Sequence, residues 1–166
     1  MTDLIIENLP NNNDFYPLKN KWNLFFHKIK DNNWNLDSYK LLYSFDNIRD
    51  FWKLFRNHPK HNFGMFFLMR ENISPIWEDQ LNIKGGTYSF KIPSNLIENA
   101  WCELAIAVIS ESTLMNNKFI NGISIHPKYN CYIIKIWAGA EIDNLQFNTK
   151  LKYFDTKTCI YKKNAV

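Results

Sequence analysis

Long apolar runs are missing from this 166-residue chain. Its first stretch, MTDLIIENLPNNND, is too acidic and too short in apolar length for a signal peptide or a membrane span. A soluble, cytoplasmic protein with no membrane partner is expected. Cysteine chemistry is missing as well. Cys102, Cys131 and Cys159 stand far apart with no Cys-x-x-Cys pair, the pattern of reduced thiols rather than of a disulfide framework or a zinc site. The histidines show no ligand spacing; His58 and His61 merely flank Pro59 in a loop. Neither metal nor cofactor is expected. There is no P-loop, no acid-rich Nudix-type helix and no Cys/His or Ser/His constellation, which argues against an enzyme. The net charge is small: +4 is mild beside the dense basic face of a duplex-binding protein. No repeat, linker or second composition block divides the chain. One domain is expected over 15–166, working as a monomer, after a flexible tail over 1–14.

What the chain does have is aromatic side chains: six Trp, eight Tyr and thirteen Phe. Much of this is core. Trp22, Leu24 and Phe26 alternate with Asn23, Phe25 and His27 along one strand, and "YKLLYSFD" reads as a second. Asp46 is placed to cap a short helix over "NIRDFWKLFRN", in which Ile48, Phe51, Trp52 and Phe55 recur at three and four. "FGMFFLMRE" and "TYSFKI" read as strands, and the Gly85-Gly86 pair between them suits a hairpin turn. The longest helix runs over about 94–111, with Leu96, Ala100, Leu104 and Val108 on its sheet-facing side and Cys102, Ile106 and Ile109 left over. "FINGISIHP" and "NCYIIKIWAGA" make a strand pair, a short helix is expected within 141–151, and "TKTCIYKK" is a last strand. The fold class is α+β: a curved antiparallel sheet with about three helices on its convex face and a ligand slot on the concave one. Trp22, Trp101 and Phe51 are expected in the core.

Trp34 and Trp77 do not fit that core. Both sit in polar strand connections, "KDNNWNLDS" and "SPIWEDQ", from which two indoles can reach the same sheet edge and hold one planar group between them. The blander alternative is that each packs down on the sheet. Glu78, next to Trp77, narrows the choice. An ionised carboxylate offers two acceptors and no donor, and its bidentate complement among bases is the N1–H and N2–H₂ edge of guanine. Methylation at N7 makes that ring cationic, and indole faces attract cations. The combination describes a pocket for the 5′ cap of mRNA.

"YPLKNKW", "SFDNIRDFW", "SPIWEDQLNIKGG", "NAWCELAIAVISE" and the "NG" to "KIW" strand pair, in this order, resemble the eukaryotic translation initiation factor 4E family over residues 16 to 137. The resemblance implies that capped mRNA, or 7-methyl-GTP, is the ligand. Trp34 and Trp77 match the stacking tryptophans, and Glu78 the guanine-reading acid. The Trp77 backbone N–H would meet the guanine carbonyl, and Trp137 would lie near the methyl group. Lys128 stands at a phosphate-binding arginine position. Pro17, Leu18, Ile48, Trp52, Glu103 and Ile106 match a dorsal surface that takes a helical peptide with a Tyr-x4-Leu-hydrophobic motif, from an initiation scaffold or a repressor.

The chain departs from the family pattern at several places. Tyr16 stands for a histidine, Thr87 and Tyr88 for an Arg-Trp pair, Asn130 and Ile133 for lysines, and Cys102 and Ser110 for a leucine and a glycine. Fewer residues follow Trp137 than family members carry. Lys135 shares a strand face with Trp137, so it is expected to join Lys128 on the triphosphate. Two further readings stay open: a cap-sequestering repressor that engages no scaffold, and a non-specific single-strand RNA binder, which would need no Glu78.

Overall fold

The computed structural model describes residues 16–57, 64–111, 117–142, 145–148 and 150–164. The tail expected over 1–14 and the loop carrying His58 and His61 lie outside them. Seven strands form one sheet: β1 (Pro17–His27), β2 (Lys40–Asn47), β3 (Met65–Arg70), β4 (Gly86–Pro93), β5 (Ile120–Pro127), β6 (Cys131–Ala138) and β7 (Ile160–Lys163). Their order is β2-β1-β3-β5-β6-β4-β7, and every neighbouring pair is antiparallel. The α-helices among the described residues are α1 (Ile48–Asn57) and α2 (Ile97–Ser110).

Period-two alternation divides the strands between two apolar layers. Trp22, Leu24, Phe66, Leu68, Ile123, Ile125, Ile134 and Ile136 face a large core closed by Ala100, Leu104 and Val108 of α2. Trp22, Trp101 and Phe51 are all buried there. On the other face Met65, Phe67, Met69, Ile73 and Trp137 form a smaller cluster with Phe25 and Tyr39. Thus β3 is buried on both faces, which is why it reads as an unbroken apolar run. Arg70 ends it. Its guanidinium lies 5.3 Å from the Trp22 ring centroid, donates to Ile120 O at 2.6 Å and pairs with Glu111 at 2.9 Å. Glu111 closes α2 in the left-handed region (φ 56°) and also accepts from Asn20, so one carboxylate ties β1, β3 and the helix end together.

Three local expectations change. Asn47, not Asp46, caps α1: its side-chain oxygen accepts the Asp50 N–H at 2.9 Å. Gly85-Gly86 does not make a β3–β4 hairpin, because β4 lies beyond β6 and pairs with β6 and β7. Neither glycine has a positive φ. They serve close approach: a Cβ at Gly85 would strike the Ala138 carbonyl, and one at Gly86 the Lys162 carbonyl and the Tyr161 ring. Between 141 and 151 no described residue is helical. Ile142, Leu145 and Leu151 are buried from a non-helical segment, which is tied down by Tyr88 Oη donating to Ile142 O at 2.5 Å.

Candidate functional site

On the face away from the helices, a cavity of about 590 Å³ is lined by Trp34, Tyr39, Met65, Phe67, Ile76, Trp77, Glu78, His126, Lys128, Lys135 and Trp137, among others. All six residues expected at the ligand, Trp34, Trp77, Glu78, Trp137, Lys128 and Lys135, therefore border one space.

Each wall has its own support. The β1–β2 connection folds around His27, which is fully buried with its ring nitrogens 2.9 Å from Lys28 O and 2.8 Å from Asn33 O. The Trp34 indole lies flat on that imidazole, with centroids 4.5 Å apart and planes 2° from parallel. One indole face is thus covered, and the side chain stays 52% exposed. Trp77, also lining the cavity, rises from a loop wired by its own side chains. Asp79 accepts the Ser74 and Leu81 N–H groups at 2.8 and 2.9 Å. Asn82 donates to Ser74 O and Ile76 O at 2.9 and 2.8 Å. The two acids after Trp77 therefore divide their work. Asp79 holds the loop, while the Glu78 carboxylate has no hydrogen-bond or ion-pair partner among the described residues and lines the cavity.

The floor is Trp137. It is only 3% exposed, and its indole N–H donates to Ser124 Oγ at 2.9 Å. Ser124 Oγ is in turn 2.8 Å from His126 Nε2. A hydroxyl that accepts from the indole has its own hydrogen free for Nε2, which puts the imidazole proton on Nδ1, facing Met65 Sδ at 3.2 Å. Burial first, then the Lys135 and Lys128 cations and His27, push His126 down to about 3. Trp137 therefore shows the cavity ring carbons rather than its N–H. Burial, helped by Glu78, raises the Tyr39 hydroxyl well above its usual range.

At the mouth the charge is positive. Lys128 is exposed and Lys135 half-buried. Burial, then Lys162, then Lys128 lower the Lys135 ammonium from its ordinary range. Lys162 joins them without a signal in the sequence. Its ammonium lies 5.0 Å from the Trp77 ring centroid. Register explains its position: Trp137, Thr87 and Lys162 are successive cross-strand partners on β6, β4 and β7, and such partners share a sheet face. None of these three lysines has a carboxylate partner among the described residues. Tyr39, Ile76 and His126 also line the cavity unforeseen; of the three, only His126 carried a sequence signal, through its even spacing from Ser124 on β5.

The residues expected on the dorsal surface lie on the helix side. Ile48, Trp52 and Ile106 are 40%, 39% and 40% exposed, Pro17 is exposed, and Leu18 packs partly into the core. Glu103 differs: its carboxylate accepts the Lys152 and Tyr153 N–H groups at 2.8 and 3.2 Å, tying residues 152–153 to α2.

The family model described as eukaryotic initiation factor 4E matches residues 17–164. The chain belongs to this family. Eukaryotic translation initiation factor 4E of Candida albicans is 29% identical over 135 residues, covering 74% of this chain and 64% of that protein. Its namesake in Eremothecium gossypii is 31% identical over 131 residues, covering 74% and 62%. The chain thus spans less than two thirds of the length of these curated relatives. Among solved structures, Ascaris suum eIF4E-3 in complex with m7G cap superposes with a TM-score of 0.71 at 26% identity, covering 78% of this chain and 76% of that one. C. elegans eIF4E-3 in complex with the 4E-binding protein Mextli and a cap analog gives 0.70 at 26% identity, covering 76% of each.

Proposed function

We propose that this chain is a cytoplasmic, non-enzymatic binding protein for the 7-methylguanosine cap of mRNA, and that it recruits capped mRNA for translation initiation. One observation carries the reading: two exposed indoles border the same cavity as a carboxylate that is unpaired among the described residues. The cationic base stacks between Trp34 and Trp77, and the two Glu78 oxygens accept N1–H and N2–H. The Trp77 N–H meets the guanine carbonyl. Trp137, its N–H spent on Ser124, gives the N7 methyl group an apolar wall. Lys128, Lys135 and Lys162 face the phosphates. The family relatives solved with cap and cap analog support this assignment.

The dorsal surface carries the initiation role. Ile48, Trp52 and Ile106 offer exposed apolar area for a helical peptide with a Tyr-x4-Leu-hydrophobic motif, and a C. elegans relative is solved with a 4E-binding protein. Glu103 stays out of that contact, since its oxygens are held by the chain itself. Tryptophan fluorescence titration tests the core of the reading. 7-Methyl-GTP should quench emission at concentrations where GTP does not. Equal affinities would remove the cationic-base assignment. Loss of all scaffold-peptide binding in an otherwise cap-competent protein would favour the cap-sequestering repressor.

A further inference from the structure

Asn82 is an uncharged polar side chain with no exposed surface, set directly behind the loop that presents Trp77. Both amide hydrogens and the oxygen of its carboxamide are engaged. The amide nitrogen donates to Ser74 O and Ile76 O, and the oxygen accepts from Asn121 Nδ2 at 2.8 Å. Asn121 Nδ2 also donates to Leu81 O at 2.7 Å, and Asn164 Nδ2 donates to the Asn82 carbonyl at 2.8 Å. A flipped carboxamide would set its NH₂ against that of Asn121 and its oxygen against two carbonyls, so only one orientation is allowed.

The Ile76 carbonyl belongs to the same peptide unit as the Trp77 N–H. That unit is planar and trans, so its C=O and N–H point in opposite directions. Anchoring the carbonyl inward on Asn82 turns the Trp77 N–H outward, on a stretch where Ile76, Trp77 and Glu78 all line the cavity. That N–H has no partner among the described residues. A carbonyl that accepts a hydrogen bond also polarises its own peptide, making the N–H a better donor.

From this geometry we infer that Asn82 is a positioning residue for base specificity: it aims the Trp77 amide at the carbonyl oxygen of the bound guanine, with Asn121 as its lock. The inference rests on the cap-binding reading, so the wild-type preference for 7-methyl-GTP over GTP is measured first. Its absence would remove that reading and this one together. Where the preference is present, 7-methyl-GTP is compared with its 6-thio analogue, which keeps the cationic ring and the edge read by Glu78 but offers sulfur, a weaker acceptor, to the Trp77 N–H. Wild type should prefer the oxygen ligand. Asn82→Ala should shrink that oxygen-to-sulfur ratio by roughly twofold to tenfold, the worth of one hydrogen bond. A purely structural loosening would lower both affinities by the same factor, and an unchanged ratio would overturn the inference. Should Asn82→Ala fail to fold, Asn121→Ala decides. It frees the carboxamide without removing it, so a smaller drop in the ratio supports the assignment and a wild-type ratio overturns it.

Discussion

Trp34→Ala tests the clamp where its geometry is best defined. The indole lies flat on His27 and is 52% exposed. An aromatic side chain carries roughly 200 Å² of surface, so roughly 100 Å² of Trp34 remains open. A flat base covering half to all of that area, at ~25 cal/mol per Å², gains about 1–2.5 kcal/mol. Alanine scans of single base-stacking platforms give about 1–3 kcal/mol, so the two routes agree. The expected result is a loss of roughly 5- to 70-fold in 7-methyl-GTP affinity, read by isothermal titration because the mutation removes a fluorophore. GTP, without the cationic ring, should lose less. Circular dichroism is the control for folding, since the substitution also uncovers the buried His27. Affinity within twofold of wild type, or equal loss for both nucleotides, would refute stacking on this face.

Lys162→Gln and Lys135→Gln should each weaken 7-methyl-GTP by about 1 kcal/mol or less and flatten its salt dependence, while 7-methylguanosine binding stays level. An unchanged salt slope in both variants would make these lysines plain surface charge. Trp52→Ala should abolish helical-peptide binding without altering cap affinity. Glu103→Ala should lower the melting temperature through two lost backbone hydrogen bonds while keeping the peptide, and a peptide-specific loss there would return Glu103 to the interface. His126 predicts a pH response. Held at about 3 when folded and near ~6.5 when unfolded, it takes up its proton more readily in the unfolded chain, so stability should fall as pH drops below ~6.5. Between pH 7 and 5 the loss should be roughly 1–2 kcal/mol in thermal or urea unfolding, and His126→Asn should flatten that limb.

Part of the cavity lining was legible because its residues break a local rule. Trp34 and Trp77 are large aromatics in polar connections, and Glu78 is an acid in a place where an acid needs a reason. What stayed hidden depends on strands far apart in sequence. Lys162 joins the site only because β7 pairs with β4, and nothing in "CIYKK" names its neighbour. Asn82 looked like any loop asparagine, since its partners stand 6, 8, 39 and 82 positions away. Gly85-Gly86 read as a turn because glycine serves both sharp bends and tight backbone contacts, and only the three-dimensional neighbour decides. Ile142 and Leu145 carry a helical spacing but reach the core from non-helical backbone, where the Tyr88 hydroxyl rather than a helical N–H donates to the Ile142 carbonyl.

The position of β4 between β6 and β7 has a consequence for synthesis on the ribosome. Residues 86–93 directly follow the Trp77 loop, yet their ladder partners, Cys131–Ala138 and Ile160–Lys163, emerge 38 to 77 residues later. The Asn164 amide that grips Asn82 comes out after both. A nascent chain halted before these segments holds Trp77 and Glu78 on a loop with neither flanking ladder in place. Ligand affinity should therefore arise abruptly once residue 164 has emerged, and intermediates stalled before that point should lack it.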